Sequence, residues 1–276
     1  MPKYIKTRLD ILLTERGLAE SRSQAQRLVM AGQVRVAGQV ADKPSDQVME
    51  NAEISVEKGP RFVSRGGEKL EGALEAFGLQ NLEGRICADL GASTGGFTDC
   101  VLQHGAARVY AVDVGYGVLH WKLRNDPRVV VMERVNARNI TGFPEPIQFV
   151  TIDASFISLK IILPVVASWW PQATGQIVAL IKPQFEAGRE EVARGDGVVR
   201  DPEVHRKVLN SVLDFARQLG FGIRGLVRSS LLGPKGNTEF LVWLQYPGHG
   251  EEQLTDLIEQ ALSSPLPDGR RTDARE

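Results

Sequence analysis

Apolar runs of strand length alternate with helix-like runs through most of this 276-residue sequence. The alternation begins at "ICADL" (86–90) and continues through "RVYAVDV", "QFVTIDAS" and "QIVALIKP". Such a pattern predicts an α/β fold with a doubly wound sheet of mostly parallel strands. Two further strand-like runs, "IRGLVRSS" and "EFLVWLQY", follow the last long helix with no helix between them. They predict an antiparallel hairpin at one edge of the sheet.

The first sixty residues predict a separate, small α+β unit. They indicate two short amphipathic helices, of which the first stops at Gly17 and the second opens with Ser21 and Gln24 in a capping-box pattern. A short hairpin around Gly38 follows. Arg22 and Arg27 fall on the side of the second helix away from its apolar stripe. Charge alone leaves two interpretations of that face open, a solvated surface and an RNA contact.

Glycine and basic residues are concentrated in "KGPRFVSRGGEK", which is typical of a linker. We therefore predict the small unit over residues 1–60, a linker over 61–68 and the sheet domain over 69–247. Residues 248–276 are predicted to form a short helix and a disordered tail.

Composition argues against several classes of protein. The 33 basic residues nearly balance the 34 acidic ones, so overall charge does not indicate a nucleic-acid partner. The N-terminus is charged where a signal peptide is apolar, and "IILPVVASWW" is too short to span a bilayer. These features predict a cytoplasmic protein without a membrane partner. Cys87 and Cys100 are interpreted as core thiols, no Cys/His cluster has metal-ligand spacing, and no metal is expected.

A glycine-rich loop follows the first sheet strand in "ICADLGASTGGFTDC" (86–100). A Walker A loop is excluded because Phe97 follows the last glycine. A dinucleotide loop is disfavoured because Ser93 replaces the second glycine. S-adenosylmethionine is the favoured ligand, since Asp89 would face its cationic groups; Asp113 would accept ribose hydroxyls in either kind of nucleotide site. The candidate cofactor-binding residues are Asp89, Gly91, Ser93, Thr94, Gly95, Gly96, Phe97 and Asp113.

Four charged residues lie near the expected ligand edge of the sheet. Asp153 and Lys182 end strands, Glu239 begins an antiparallel strand, and Lys69 is on the helix before the first strand. Each alone is most often a solvated or ion-paired side chain. Together they would place two cations and two anions beside the bound ligand.

Long stretches of the sequence resemble the TlyA (haemolysin A) family of ribosomal RNA methyltransferases. They include "RLDILLTERGLAESRSQAQRLVMAGQVRV", "VSRGGEKL", "DLGASTGGFTD", "DVGYGVLHWKLRNDPRV", "DASFISL", "LIKPQFEAG" and "GPKGNTEFLVW". The resemblance covers about residues 8 to 246. It implies an S-four-like RNA-binding domain followed by a Rossmann-like, FtsJ-like methyltransferase domain that uses S-adenosylmethionine.

The same resemblance implies the reaction and its residues. The family's Lys-Asp-Lys-Glu tetrad falls on Lys69, Asp153, Lys182 and Glu239. The expected product is a ribose 2′-O-methyl group on a cytidine of ribosomal RNA, in 23S and in some members also 16S RNA. Ribosomal subunits are the expected partners, and no obligate protein partner is evident. The residues leave open whether Lys182 acts as a general base or stabilises the developing alkoxide.

The resemblance also favours RNA contact by the N-terminal unit, with Arg8, Arg22 and Arg27 as the candidates. The segment 184–201 is either a substrate lid or a disordered loop. Two other functions are weighed. A non-catalytic ribosome-assembly factor is disfavoured by the intact tetrad, and a cytolysin, suggested by the haemolysin label, is disfavoured by the missing export signal.

Overall fold

The structure, a computed structural model, describes residues 5–57, 59–170, 173–188, 195–233, 235–248 and 253–265. The chain divides into two compact units, Met1–Arg61 and Phe62–Glu276. Most of the segment predicted as a linker lies inside the second unit. Phe62 is only 3% exposed, and a helix begins at Gly66, because this stretch packs on the core of the larger unit.

The first unit is a small α+β fold. Leu9 and Leu13 of its first helix pack against Ala25 and Val29 of its second, and Val34 of the sheet completes the core. One two-stranded and one three-stranded antiparallel sheet accompany the helices. The elements are β1 (Lys6–Arg8), α1 (Leu9–Glu15), α2 (Arg22–Met30), β2 (Val34–Val36), β3 (Gln39–Val40), β4 (Gln47–Met49) and β5 (Ile54–Val56).

Local sequence signals account for the turns of this unit. Ser21 caps α2 by accepting a hydrogen bond from the backbone N–H of Gln24, at 3.3 Å, as the capping-box pattern predicts. The predicted hairpin is formed by β2 and β3. Its two turn residues, Ala37 and Gly38, both have positive φ, which is the geometry that matches the twist of a two-residue hairpin.

The second unit contains a sheet with helices on both faces. Its elements are α3 (Gly66–Phe77), β6 (Ile86–Leu90), α4 (Gly96–Gln103), β7 (Arg108–Asp113), α5 (Trp121–Arg124), β8 (Val129–Glu133), a 3-10 turn (Ala137–Asn139), β9 (Phe149–Ile152), α6 (Leu159–Ser168), β10 (Gly175–Ile181), α7 (Pro183–Glu186), α8 (Pro202–Gln218), β11 (Gly222–Arg228), β12 (Phe240–Tyr246) and α9 (Leu254–Ser263).

The described strands of this sheet follow the order β11-β12-β10-β9-β6-β7-β8. From β6 the chain moves outward to β7 and β8, and it then returns to place β9 on the other side of β6. The switch point therefore lies between β6 and β9, where doubly wound sheets bind ligands at the carboxyl ends of the strands.

Strand β12 runs antiparallel to both β10 and β11, which confirms the predicted hairpin at the edge. In its register with β10, Phe240 pairs with Ile181. The residues just outside this pair are Glu239 and Lys182. A strand running the opposite way thus brings its first residues to the edge where the parallel strands end.

The C-terminal helix was also predicted. Ile258 and Ala261 of α9 are buried against the core of the second unit. Residues 249–252 and 266–276 lie outside the described residues, so the predicted disorder of the tail stays a prediction. Among the helices described, none has the length and apolar character needed to cross a membrane.

Candidate active site

Two adjoining cavities open at the switch point. One has a volume of about 660 Å³ and includes the end of β7; the other has a volume of about 580 Å³ and includes the residue after β10. We call them the β7 compartment and the β10 compartment. They share part of their lining and form one site: the shared residues are Gly91, Ser93, Asp153, Ser155 and Phe156.

The β7 compartment has the form of a small-molecule pocket. Residues 112–114 line it from the end of β7, and residues 136–138 line it from the 3-10 turn after β8. Ile161 and Ile162 of α6 add apolar surface. A cavity of this size, with apolar walls and few polar groups, is typical of a ligand site.

Gly91 allows three strand ends to close around the crevice. Its φ is +86°, and a Cβ atom there would lie 2.7 Å from the carbonyl oxygen of Asp153. Its N–H donates to the carbonyl of Val112 at 2.9 Å. A side chain at this position would separate the end of β6 from the end of β9.

Asp113 fixes the loop through both carboxylate oxygens. One accepts the N–H of Ser93 at 2.8 Å, and the other accepts the N–H of Gly115 at 2.7 Å. Asp113 and Ser93, two of the residues predicted to bind a cofactor, both line the β7 compartment. Each carboxylate oxygen has a second lone pair, so Asp113 can still accept hydrogen bonds from a ligand hydroxyl.

The prediction for Asp89 requires a correction, because Asp89 lines neither compartment. Its side chain is completely buried, and its carboxylate accepts hydrogen bonds from Thr98 at 2.6 Å and Thr151 at 2.8 Å. Burial raises the pKa of Asp89 to about 6, although both threonine hydroxyls favour the ionised form. Asp89 thus lies behind the loop and joins β6 to α4 and β9.

Four other predicted loop residues also lie behind the cavities. Phe97 is 3% exposed in the core, and the Thr94 carbonyl accepts the N–H of His120. A Cβ on Gly95 would lie 2.8 Å from a methyl of Leu119, and one on Gly96 would lie 2.8 Å from a backbone nitrogen of α3. These residues shape the turn and let α4 pack closely, and they are absent from the lining of both compartments.

The structure brings together the four tetrad residues in the β10 compartment as two ion pairs. Lys182 Nζ lies 2.6 Å from Asp153 Oδ1, and Lys69 Nζ lies 2.6 Å from Glu239 Oε2. The two lysine side chains are each 10% exposed, and that of Glu239 is 1% exposed. A charge withdrawn from water needs an oppositely charged partner. Within each ion pair, the two residues therefore hold each other in place.

The position of Lys69 explains its dependence on Glu239. Lys69 lies in the first turns of α3, one residue before the buried Leu70. A cation near a helix N-terminus is unfavourable with respect to the helix dipole. The carboxylate of Glu239, 2.6 Å away, offsets that cost.

Sequence reasoning did not single out Ser155 and Phe156, although both follow Asp153 in "DASFISL". Lys182 Nζ donates a hydrogen bond to Ser155 Oγ at 2.9 Å. Phe156 is 90% exposed at the rim of both compartments, its φ is +64°, and its ring centroid lies 4.9 Å from that of Phe185. An exposed aromatic ring in a strained backbone conformation is a signal that only the structure reveals.

The predicted lid, residues 184–201, is described at its two ends. Phe185 and Gly197 line the β10 compartment. Asn237 anchors the second end, because its side chain accepts the N–H of Val199 at 2.9 Å and donates to the carbonyl of Gly197 at 3.0 Å. Residues 189–194 lie outside the described residues, so a lid remains a prediction.

The three arginines predicted to contact RNA differ in their surroundings. Arg8 and Arg22 both hydrogen-bond to Asp10, which is fully buried, whereas Arg27 is exposed on α2. The Arg8 guanidinium holds the pKa of Asp10 well below its usual range. Arg8 and Arg22 therefore have a structural role within the first unit, and their side chains remain 36% and 54% exposed.

Both units of the chain are similar to known protein families. Residues 62–246 match the FtsJ-like methyltransferase family, and residues 7–54 match the S4 domain. The 16S/23S rRNA (cytidine-2′-O)-methyltransferase TlyA of Mycobacterium tuberculosis is 47% identical over 267 residues, which are 94% of this chain and 98% of that protein. The chain belongs to the TlyA family of FtsJ-like methyltransferases.

Two further relatives support TlyA-family membership. Hemolysin A of Brachyspira hyodysenteriae is 42% identical over 243 residues, covering 85% of this chain and 98% of that protein. A solved structure of a hemolysin-named protein from Streptococcus thermophilus has a TM-score of 0.68 and 45% identity, covering 94% of this chain and 95% of the other. As a TlyA-family member the chain is a methyltransferase, and the predicted fold class is confirmed.

Proposed function

We propose that this TlyA-family methyltransferase transfers a methyl group from S-adenosylmethionine to a ribose 2′-hydroxyl of ribosomal RNA. One observation carries the proposal. The two ion pairs Lys182–Asp153 and Lys69–Glu239 line a compartment that shares a wall with the ligand pocket at the switch point. Donor and acceptor can therefore meet at that wall.

The β7 compartment fits the donor. Its walls combine apolar side chains with the Asp113 carboxylate, which keeps lone pairs available for ribose hydroxyls. The shared wall adds Asp153, an anion suited to a neighbouring sulfonium. Asp153 thus takes the role toward the cationic groups that the sequence predicted for Asp89, whereas Asp113 keeps its predicted role toward the ribose hydroxyls.

The bound donor would supply a methyl group on a cationic sulfur, which leaves as a neutral thioether. The ribose hydroxyl oxygen forms the new bond to carbon, the carbon–sulfur bond breaks, and the hydroxyl proton passes to solvent water in the open β10 compartment. Lys182 donates a hydrogen bond to Ser155 and forms an ion pair with Asp153. We therefore assign Lys182 to stabilising the negative charge that develops on the hydroxyl oxygen. Asp153 and Ser155 orient it, and Lys69 with Glu239 completes the charged wall.

The rim of the site suits a nucleotide as acceptor. Phe156 presents an almost fully exposed ring beside the tetrad, and Lys235 also lines the β10 compartment. An exposed aromatic ring can stack on a base, and a lysine can pair with a phosphate. A nucleotide extruded from a folded RNA helix could be held at this rim while its ribose reaches Lys182.

Ribosomal RNA is the substrate that the relatives indicate. The Mycobacterium tuberculosis relative is named for cytidine 2′-O-methylation of 16S and 23S RNA. The N-terminal match to the S4 domain, with Arg27 exposed on α2, supports RNA contact by the first unit. We accordingly propose ribosomal subunits as partners, cytidine as the target nucleoside and the cytoplasm as the place of action.

Mapping of ribose methylation tests the proposal directly. Ribosomal RNA is compared from cells with the gene, without it, and with a Lys182→Ala copy. We expect at least one 2′-O-methylated cytidine that is present only with the intact gene. If no ribose position differs among the three, the proposed activity is wrong. Purified 30S and 50S subunits, each incubated with labelled donor, then separate the two possible substrates.

A further inference from the structure

Asn237 is a buried polar residue that joins two turns of the second unit, and it is only 3% exposed. Its side-chain oxygen accepts the N–H of Val199 at 2.9 Å, and its side-chain nitrogen donates to the carbonyl of Gly197 at 3.0 Å. A backbone N–H can only donate and a carbonyl can only accept, so both ends of the amide are specified. Asn237 thus connects residues 195–199, which we call the first turn, to residues 233–237, which we call the second turn.

Neither turn needs the Asn237 side chain in order to close. In the first turn the N–H of Val198 donates to the carbonyl of Gly195 at 2.8 Å, and in the second turn the N–H of Gly236 donates to the carbonyl of Gly233, also at 2.8 Å. Each turn therefore has a backbone hydrogen bond of its own. What the amide of Asn237 adds is a fixed position of one turn relative to the other.

The second turn supports the carboxylate of Glu239. Gly233 lies so close to it that a Cβ atom on Gly233 would be 2.5 Å from Glu239 Oε1. The N–H of Gly233 donates to the backbone carbonyl of Asn237 at 2.9 Å, which keeps the turn in this place. The other oxygen of Glu239, Oε2, pairs with Lys69 at 2.6 Å. A shift of the second turn would therefore move the Glu239 carboxylate and, with it, the Lys69 ammonium group.

Both turns also form part of the β10 compartment. Gly197 lines it from the first turn, and Lys235 and Asn237 line it from the second. Lys235 Nζ lies 3.9 Å from the position that a Cβ atom on Gly197 would occupy, so this side chain crosses from one turn to the other. The relative position of the turns therefore sets the shape of the wall that an acceptor nucleotide would meet.

We propose that Asn237 is a positioning residue for methyl transfer, which acts by holding the Glu239–Lys69 pair in a fixed place relative to the first turn. The inference rests on the proposed function, because it assigns Asn237 to the same reaction. Transfer to a ribose oxygen depends on orientation, and a misplacement of about 1 Å can lower a rate by about 100-fold. Sequence reasoning did not single out Asn237 in "GPKGNTEFLVW", because its partner Val199 stands 38 residues before it and only packing brings the two together.

The kinetics of Asn237→Ala test this role. Wild-type and variant full-length proteins are assayed for transfer from labelled S-adenosylmethionine to purified 30S and 50S subunits. We expect kcat to fall about 10- to 100-fold, because the charged pair is no longer held in its place. The KM for the donor should stay unchanged, because Asn237 does not line the β7 compartment.

His205→Phe is the matched control, because it loosens only the first turn. His205 Nε2 donates to the carbonyl of Val199 at 3.0 Å, and its ring packs edge-on against that of Phe240. Phenylalanine keeps the ring contact and removes the hydrogen bond, while the second turn and Glu239 keep their contacts. We expect the melting temperature of this variant to fall and its kcat to stay close to that of the wild type.

A double-mutant cycle tests whether Asn237 acts through Glu239. If it does, Asn237→Ala should lower kcat by less than about 3-fold in a Glu239→Gln background, since the effects of coupled residues do not add. Asn237→Asp guards against loss of folding in Asn237→Ala. It keeps the shape and the acceptor for the Val199 N–H, but its carboxylate cannot donate to the Gly197 carbonyl. Its kcat should fall as well, with an unchanged circular dichroism spectrum.

Three results would overturn the role of Asn237. They are an unchanged kcat in Asn237→Ala, an equal loss of kcat in His205→Phe, and the same loss with and without Glu239→Gln. Failure of the wild type to methylate either subunit would remove the proposed function and this role with it. An active wild type with an equally active Asn237→Ala would remove the role of Asn237 alone.

Discussion

Asp10 in the first unit and Asp89 in the second are both completely buried, yet their pKa values move in opposite directions. Asp10 accepts hydrogen bonds from Arg8, Arg22 and Gln26, and the Arg8 guanidinium lowers its pKa. Asp89 accepts from two threonine hydroxyls, and burial raises its pKa to about 6. Two differences act together: the partners of Asp10 are cations that reach the surface, whereas those of Asp89 are neutral hydroxyls in the core of the second unit.

The tetrad extends this comparison. Like Asp10, its two acids are paired with cations, but they line a cavity that a substrate can enter. The Asp10 cluster joins α1 to α2 and stabilises the first unit. The structure thus contains one charged cluster that holds a fold together and another whose charges remain available for chemistry.

The largest expected effect is on the rate of methyl transfer, which should depend on the tetrad and not on the Asp10 cluster. Lys182→Ala should lower the rate of methyl transfer by about 1,000-fold or more, because it removes the cation that stabilises the developing oxyanion. Donor affinity, measured by calorimetry, should change little. Lys207→Ala, which removes an exposed lysine of α8, is the matched control and should keep full activity. Equal losses of donor binding and rate would contradict the assigned role.

The next effect concerns stability. Glu239→Ala leaves Lys69 buried without its partner, and we expect a loss of about 3–5 kcal/mol in the free energy of unfolding. Asp10→Ala should cost less, about 1–3 kcal/mol, because the side chains of Arg8 and Arg22 are partly exposed and reach water. Urea denaturation of both variants checks the order. A larger loss for Asp10→Ala would reverse the comparison.

The two buried aspartates should also give opposite pH dependences. The pKa of Asp89 rises from 3.8 to about 6, so the folded state binds the proton more tightly and stability falls as pH rises through that window. The loss should reach about 3 kcal/mol, at 1.36 kcal/mol per pKa unit. The pKa of Asp10 is lowered in the folded state. Its stabilising effect is therefore fully present at pH values above the ordinary aspartate pKa of 3.8, and it is lost as the pH falls below that value.

Two aspartate-to-asparagine variants isolate these contributions. Denaturation curves measured from pH 3 to pH 7 give the free energy of unfolding of each protein. As pH rises, the wild type should lose stability relative to Asp89→Asn. As pH rises, the wild type should gain stability relative to Asp10→Asn. Parallel curves for the wild type and Asp89→Asn would show that folding does not shift the pKa of Asp89.

The smallest effect concerns RNA contact by the first unit. Arg27→Ala should weaken rRNA binding a few-fold and reduce the slope of log affinity against log salt by about one, as expected for one lost phosphate contact. Stability should change by less than about 0.5 kcal/mol, because Arg27 is exposed. Arg22→Ala should weaken binding and also destabilise the unit, since Arg22 pairs with Asp10. Unchanged salt dependence for Arg27→Ala would exclude the contact.

The sequence predicted the parts of this molecule that depend on periodicity and on strand direction. Alternating apolar runs predicted the doubly wound sheet. The two strand-like runs with no helix-like run between them predicted the edge hairpin of β11 and β12, next to which Glu239 lies. Asp153 and Lys182 could be placed together because the carboxyl ends of parallel strands share one edge. Each of these inferences needs only the path of the chain.

Inferences that depended on where a side chain points were less accurate. Asp89 ends a strand, as a ligand-binding acid would, but its alternation along β6 directs it to Thr98 and Thr151. Arg22 is exposed on α2 as predicted, but its guanidinium also donates to the buried Asp10 on another helix, which the periodicity of α2 does not reveal. The exposed ring of Phe156 depends on a backbone conformation that residue type does not reveal.

The place of β12 in the sheet has a consequence for protein synthesis. Glu239 stands 170 residues after Lys69, and it reaches its partner only when β12 inserts between β10 and β11. A nascent chain that ends before Glu239 holds the glycine loop and three tetrad residues, but β10 is still an open edge and Lys69 lacks its partner Glu239. We therefore expect methylation to begin only after synthesis is nearly complete.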